Sequence, residues 1–467
     1  EYPAARERVV KINHQLAEIR AGQRFGKCSE VRIQAEAAVR TATELKYQPA
    51  EAEALYLLGD IQERSGVAEQ AEPTLLKAAV AAMESRQQTL LAQTWILLTQ
   101  VTGFRLSRYD KAQGWAQLAE AALEHISQPD ALRGQLLLAR CMTESQAKNT
   151  AAAVDFCEKA LTLRRKLFGQ VSFESGEVIN IMAGIYRRSE QFDRAMDLYK
   201  EALDIEIKEV GSLHPNVLST LRGMGIVRRY QRKYDEAVTY FKRALETSQA
   251  SLGPKHIRST DYQLQIAVTL LNARKLDEAE QYARACTTLR DGNSGVGTEP
   301  DRQPEAHFFL GEILARQGRY DEALTHHRTA LELREKSKDR REDKVAYSLT
   351  SIGEVLTELG KPRDALPYLE RALNFRESRT AVERQDHANL GRSNFSLAKA
   401  LWKAGRPEQK KRAAELLKKA HTQYEIYGPW PENELPAVLQ WQQLVSGKRK
   451  PDDQIVPAAA GTETIQT

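Results

Sequence analysis

Residues 178–203 read VINIMAGIYRRSEQFDRAMDLYKEAL, and residues 220–245 read TLRGMGIVRRYQRKYDEAVTYFKRAL, so one pattern of small and large residues returns after 42 positions. In each copy, apolar and small residues recur three and four apart on both sides of a break before Phe192 or Tyr234. This spacing is typical of amphipathic helices. The stretch therefore predicts a repeated helical hairpin, and packing alone explains its pattern.

The same pattern continues along most of the chain. A small residue of the second helix marks each copy, and these positions are Val31, Ala71, Ala112, Ala153, Ala195, Ala237, Ala279, Ala323, Ala365 and Ala413. Their spacing of 40 to 48 residues predicts about ten hairpins. In the third copy about one extra residue precedes Tyr109, which predicts a bulge or a lengthened turn near Gly103.

The residue types of each copy resemble the tetratricopeptide repeat, with a small residue and an aromatic on the first helix and then Ala, an aromatic and Ala on the second. The resemblance implies an all-α fold, a right-handed superhelical solenoid of stacked hairpins. The connector 210–215, which reads VGSLHP, and the 42-residue period resemble the kinesin light chain subclass. In that subclass an inner-face Asn helps to hold bound peptide. Asn180 matches it, whereas Arg222 and Leu264 stand there in the next two hairpins.

A second resemblance covers the amino-terminal half. The segments 56–59 (YLLG) and 108–112 (RYDKA), with Trp95 and Gly103 between them, resemble the carboxy-terminal repeat region of large bacterial serine/threonine kinases. That region follows a kinase domain and is taken to serve regulation or partner binding. The sequence contains no Gly-rich phosphate loop, His-Arg-Asp or Asp-Phe-Gly motif. Because the chain begins at Glu1 rather than at Met, we expect it to be a piece of a longer protein.

The pattern divides the chain into four parts. Residues 1–290 are expected to form an amino-terminal array of about seven hairpins, and residues 305–446 an array of about three. Residues 291–304, rich in Gly, Asp and Pro, are expected to form a flexible loop that could act as a hinge. The composition of the tail 447–467 predicts disorder.

Four cysteines, Cys28, Cys141, Cys157 and Cys286, are present without any Cys-x-x-Cys motif. Cys141 falls on the small position of a first helix, Cys157 on the large position of the following helix, and Cys286 on a final Ala position. We interpret all four as reduced packing residues, which predicts a cytoplasmic protein.

The outward positions of the first helices are the natural contact set for a partner. In the central hairpins this set comprises Asn180, Arg187, Arg188, Arg222, Arg229 and Tyr230. Arginine binds carboxylates through paired hydrogen bonds, so we expect an acidic peptide or a carboxy terminus as the ligand. The alternative is a solvated face that is balanced by Glu177 and neighbouring acids.

Further along, the same face carries Glu312, Glu354, Thr357 and Glu358. If both patches bind, the groove has a polarity that orients an extended ligand. The alternative is incidental surface charge. His326 and His327 are adjacent and therefore point in different directions on a helix, so they do not predict a metal site, and we expect His327 to be packed.

The sequence favours a protein-interaction scaffold that binds a protein or peptide, and it does not favour an enzyme, because no catalytic or metal-binding constellation accompanies the repeats. We expect no cofactor. The net charge of +5 on 467 residues does not indicate nucleic-acid binding, and no apolar run approaches the ~20 residues that span a membrane. The alternative function is the regulatory or sensor arm of a larger bacterial signalling enzyme such as a serine/threonine kinase.

Overall fold

A computed structural model describes residues 2–24, 28–253, 257–291, 303–337, 341–379, 384–428 and 434–448, which contain helices and no strand. The helices are α1 (Tyr2–Arg24), α2 (Cys28–Leu45), α3 (Gln48–Arg64), α4 (Ala68–Glu84), α5 (Gln88–Gln100), α6 (Tyr109–Leu123), α7 (Asp130–Gln146), α8 (Thr150–Phe168), α9 (Phe173–Arg188), α10 (Phe192–Val210), α11 (Pro215–Tyr230), α12 (Tyr234–Leu252), α13 (Ile257–Asn272), α14 (Leu276–Asp291), α15 (Gln303–Arg316), α16 (Tyr320–Lys336), α17 (Glu342–Glu358), α18 (Pro362–Glu377), α19 (Arg384–Ala404), α20 (Pro407–Tyr427) and α21 (Leu435–Val445). A π-helix, Val101–Arg105, follows α5 directly.

The helices pair in chain order into ten hairpins, from α1 with α2 to α19 with α20, and α21 packs on α20. Helices α1–α12 form one compact unit, the amino-terminal unit, and helices α13–α21 form a second, the carboxy-terminal unit. Within each unit, successive hairpins pack on their neighbours. The predicted all-α fold of about ten stacked hairpins is therefore confirmed, while the right-handed sense of the stack stays a prediction.

The contact between the two helices of a hairpin follows from the small and large residues of the repeat. All ten small positions of the second helices are at most 5% exposed. A Cβ atom on Gly225 would lie 2.6 Å from the Phe241 ring, and one on Gly311 would lie 2.7 Å from the His327 ring. In these two hairpins, and likewise at Gly59 with Leu75 and Gly353 with Leu369, a glycine of the first helix receives a large side chain 16 positions later.

Cys141 and Cys157 occupy this pair of positions in the fourth hairpin, and they form a disulfide that joins α7 to α8. The prediction of reduced cysteines is therefore wrong for these two residues. Cys286 is buried and is not part of a disulfide, as predicted, and the side chain of Cys28 lies outside the described part of the structure. Because they are disulfide-bonded, these two cysteines no longer support the predicted cytoplasmic location, which stays a prediction.

The extra residue of the third hairpin is accommodated by the π-helix. Its backbone hydrogen bond runs from Leu106 N to Val101 O, five residues back, at 3.0 Å. A Cβ atom on Gly103 would lie 2.3 Å from Thr143 Oγ1 of α7, so only glycine allows this approach. The bulge predicted near Gly103 is confirmed. A π-helix absorbs one inserted residue without ending the helix, which keeps the following hairpin in register.

The predicted domain boundaries lie largely outside these elements. Residues 292–302 and 449–467 are not among the described ones, so the hinge and the disordered tail stay predictions. The helices on either side of the predicted hinge, α14 and α15, pack against each other. The seventh hairpin, α13 with α14, belongs to the carboxy-terminal unit.

Buried arginines connect several second helices to the hairpin that follows. Arg164 on α8 donates to the Glu174 carbonyl at 2.9 Å, and Arg334 on α16 donates to the Lys344 carbonyl at 2.8 Å. The position 42 residues after Arg164 holds Glu206 instead, which is completely buried and accepts a bond from the Thr220 hydroxyl at 2.7 Å. Its second oxygen has no partner among the described residues.

Burial, opposed by the bond from Thr220 and aided by the neighbouring Glu177, raises the pKa of Glu206 to about 7. In the folded state Glu206 therefore keeps a proton at pH values where the unfolded chain has lost it. The free energy of unfolding that this retained proton contributes is fully present below the ordinary glutamate pKa. It is lost as the pH rises toward and through 7.

We expect Glu206→Gln to remove this loss, because the amide keeps the shape of the protonated acid and carries no charge. The variant should be more stable than the parent by about 3 kcal/mol at pH 8 and by no more than about 1 kcal/mol at pH 5. Hydrogen exchange of peptides from α10 and α11 at the two pH values measures the difference. Glu209→Gln, an exposed change on the same helix, is the control. Equal pH dependence in parent and Glu206→Gln would contradict the prediction.

Candidate functional site

Arg187 and Arg188 form the last turn of α9, a first helix of the amino-terminal unit. Arg188 donates to the hydroxyl of Ser145, which lies on α7. The Nε atom of Arg187 is shielded from solvent and has no acceptor among the described residues. Arginines in a last turn complement the helix dipole, but neither of these two forms an ion pair with a described carboxylate.

The arginines of α11 differ in exposure. Arg229 is 7% exposed and lies over the Phe241 ring, 5.9 Å from its centroid. Burial, opposed by Tyr230 and aided by repulsion from Arg187, lowers the pKa of Arg229 to about 10. Arg222 is half-buried. Three of the four predicted arginines, Arg187, Arg188 and Arg229, thus lie close enough for Arg187 to act electrostatically on the other two.

The two remaining predicted residues of this face have structural contacts. Asn180 donates through Nδ2 to the Ser219 hydroxyl on α11 at 2.9 Å. Tyr230 stacks on Phe192 with ring centroids 5.5 Å apart. Both residues are half-buried, so each joins neighbouring helices while part of its surface remains exposed.

Glu177, the acid that was named as a counterweight to these arginines, is paired with another residue, and so is Glu236 of α12. Glu177 accepts from Arg164 at 2.6 Å, and Glu236 lies 2.8 Å from Arg228. Glu177 and Glu236 therefore do not form ion pairs with Arg187 or Arg188. We call Arg187, Arg188 and Arg229 the arginine cluster.

The predicted negative patch of the carboxy-terminal unit is neutralised by cations of α19. Arg392 donates two hydrogen bonds, of 3.0 and 2.6 Å, to the Glu354 carboxylate. Its guanidinium also lies 3.7 Å from the Glu312 carboxylate. Burial alone would raise the pKa of Glu354, but Arg392 outweighs it and lowers the pKa to about 2. Glu312 is 6% exposed and accepts from Ser351 at 2.6 Å.

Glu358 is more exposed, and Lys399 and Lys403 each lie 3.2 Å from its carboxylate. The structure therefore brings Glu312 and Glu354 into one largely buried ionic network around Arg392 and places Glu358 beside it. Arg392, the centre of that network, was missed by the sequence analysis. A signal existed, because Asn180 with Ser219, Glu312 with Ser351 and Glu354 with Arg392 are all 38 or 39 residues apart.

The histidines do not add a metal site. His327 is completely buried against Gly311, as predicted for a packed residue, and burial lowers its pKa to about 4. The described residues contain no group of three or more His, Cys, Asp or Glu side chains placed to hold a metal ion. In the same part of the chain, no helix has the length and apolar content needed to cross a membrane.

The paired and stacked helices define the class of helical repeat proteins, in which successive hairpins expose a row of first helices. Family models described as tetratricopeptide repeat match residues 174–247, 216–291 and 303–378, residues 34–85 and 264–338, and residues 142–174. Together these matches cover 34–85 and 142–378, more than half of the chain. The chain belongs to the tetratricopeptide repeat family.

Several solved structures are similar in fold. A putative kinesin light chain of Podosopora anserina with nearly identical repeats is 16% identical, with 43% of this chain and 94% of that chain covered and a TM-score of 0.38. A tetratricopeptide repeat protein of Parabacteroides merdae is 15% identical, with coverages of 67% and 99% and a TM-score of 0.44. A Rap protein complexed with competence and sporulation factor is 15% identical, with coverages of 78% and 98% and a TM-score of 0.46. No protein of curated function matches the chain.

Proposed function

We propose that this chain is a protein-interaction scaffold that binds an acidic segment of a partner on the first helices of its amino-terminal unit. Tetratricopeptide arrays offer an extended surface suited to peptides and helices. The observation that carries the proposal is the adjacent pair Arg187 and Arg188, neither of which forms an ion pair with a described carboxylate. An acidic ligand would supply the missing charge through hydrogen bonds to the guanidinium groups.

Arg187 and Arg188 are the residues with which to test this function, because Arg229 is buried and its replacement would disturb the packing on Phe241. We expect Arg187→Gln combined with Arg188→Gln to weaken capture of acidic peptides at least about tenfold, through the loss of charge-assisted bonds. The measurement is a selection from a random peptide library displayed on phage, followed by binding titrations of the enriched peptides.

Arg165→Gln is the matched control, since Arg165 also carries one guanidinium in the same unit but pairs with Glu201 at 2.9 Å. The control should capture the same peptides as the parent. The proposed site would be refuted if the selected peptides were not enriched in Asp and Glu. It would also be refuted if the variant with both Arg187→Gln and Arg188→Gln bound them as tightly as the parent. The role as a regulatory arm of a larger enzyme remains a separate prediction from the kinase resemblance.

A further inference from the structure

Large apolar side chains are exposed where two successive hairpins of the amino-terminal unit join the next one. Among the described residues, thirteen large apolar side chains are exposed, and five of them lie in the last turns of α8 and α10 or in the connectors that follow. These five are between 37% and 52% exposed. We call them the connector edge, and they are Leu167, Phe168, Val171, Val210 and Leu213.

The connector edge repeats with the period of the hairpins. Phe168 and Val210 are 42 residues apart, and so are Val171 and Leu213. Residues one period apart occupy the same place on successive hairpins of a repeat array. The edge therefore consists of two matching apolar patches, one at the start of α9 and one at the start of α11, and these two helices pack on each other.

Both connectors are fixed by hydrogen bonds at the helix that follows. The Ser172 hydroxyl accepts from the Ser175 backbone at 3.2 Å, and Nδ1 of His214 accepts from the Asn216 backbone at 3.3 Å. The ring of Phe173 contacts that of His214 edge-on, with centroids 5.5 Å apart, and so ties one connector to the next. The exposed side chains are thus presented by a preformed surface, which reduces the conformational entropy lost on binding.

The fold does not require these side chains to be exposed. Ile126 lies in the preceding connector, 42 residues before Phe168, and it packs against the buried cluster of α5, α6 and α7. In the next two connectors the apolar side chains face solvent instead. Adjoining exposed apolar side chains mark a contact surface more often than isolated ones do.

The charges beside the connector edge are balanced. Lys166 is 73% exposed and lies 3.7 Å from Asp130, and the exposed Lys208 is followed directly by the exposed Glu209. An anionic membrane attracts clusters of basic residues, which this edge lacks. A surface with both signs of charge around an apolar row suits another protein surface of the same kind.

We propose that the connector edge is the interface between two copies of this chain, related by a two-fold axis. In such an interface residue i contacts residue j of the other copy, and residue j contacts residue i. A two-fold axis between the two patches lays Phe168 and Val171 of one copy over Val210 and Leu213 of the other. Because both patches belong to the same repeat, their spacing matches in the two copies.

The same arrangement brings unlike charges together. Lys166 stands beside the first patch and Glu209 beside the second, so each Lys166 approaches Glu209 of the other copy. The inference goes beyond the proposed function, since Arg187 and Arg188 form the last turn of α9, whereas Val171 precedes the first turn of that helix.

The first test is sedimentation velocity of the full chain between about 1 and 100 μM, a range that reveals micromolar association. We expect the parent to form a dimer. Phe168→Asp combined with Leu213→Asp should raise the dissociation constant at least about tenfold, because it places charges in both apolar patches. The matched control is Val80→Asp with Leu118→Asp, two similarly exposed positions of the same unit, and it should dimerise like the parent. Circular dichroism checks that each variant keeps its helices.

The second test exchanges the flanking charges. Lys166→Glu should weaken the dimer, since it sets two glutamates against each other, and adding Glu209→Lys to the same chain should restore it. Restoration is expected only if the two residues meet across copies of this chain.

Three results would overturn the proposal. The parent could stay monomeric at every concentration, or its dimer could be unaffected by Phe168→Asp with Leu213→Asp. A monomeric parent that binds vesicles of anionic phospholipid, with binding lost in that variant, would assign the connector edge to a membrane surface instead.

Discussion

Replacing Arg392 with alanine is expected to destabilise the carboxy-terminal unit by about 3–5 kcal/mol, the range found when a buried ion pair loses one partner. Arg392 is 5% exposed and holds Glu354 with two hydrogen bonds, with Glu312 also within 3.7 Å. The change leaves two carboxylates without their principal cation, and the Glu312 side chain is only 7% exposed while that of Glu354 is 26% exposed. Urea unfolding followed by Trp402 and Trp441 fluorescence measures the loss.

Arg412→Ala is the matched control for this prediction. Its guanidinium lies 2.6 Å from Glu370, but both side chains are well exposed, so its removal should cost less than about 1 kcal/mol. Adding Glu354→Gln to Arg392→Ala should recover part of the lost stability, since it removes one of the two carboxylates that the first change leaves without a cation. A loss in Arg392→Ala no larger than in Arg412→Ala would show that the network is not buried in solution.

Reduction of the disulfide between Cys141 and Cys157 is expected to lower the stability of the amino-terminal unit by about 3 kcal/mol. The bond closes a loop with a sequence separation of 16, and its loss gives the unfolded chain more conformational freedom. The measurement compares urea unfolding with and without a reducing agent. Because both cysteines are completely buried, the reductant must be added to the unfolded protein before refolding.

Two controls make the disulfide prediction specific. Cys141→Ala should unfold identically with and without the reductant, whereas Cys286→Ala should keep the full difference of the parent. Titration of the unfolded but unreduced chain with a thiol reagent should find two thiols out of four cysteines. Four reactive thiols would show that the bond does not form.

The sequence predicted the hairpins well because their packing depends on contacts that recur at fixed spacing. The ten small positions are buried, and the extra residue near Gly103 appears as a π-helix. The disulfide was missed, although Cys141 and Cys157 had been placed on the small and large positions that touch in other hairpins. Taking those two positions as neighbours in space would have indicated the bond.

The candidate site was predicted less completely, since helix-face spacing says which side a residue occupies but not what it meets on the next hairpin. Asn180, Arg187 and Arg188 are at least partly exposed, whereas Arg229 and Glu312 are buried.

The sequence by itself determined the all-α repeat, its period and the inner face of each hairpin, because these depend on residues within one repeat length. Only the tertiary structure decided which charges are matched. Contacts such as Glu354 with Arg392 join different hairpins, and their distance depends on how the first helices pack. The same packing leaves Arg187 and Arg188 without a described carboxylate partner. For that physical reason we propose that the partner protein binds at these two residues.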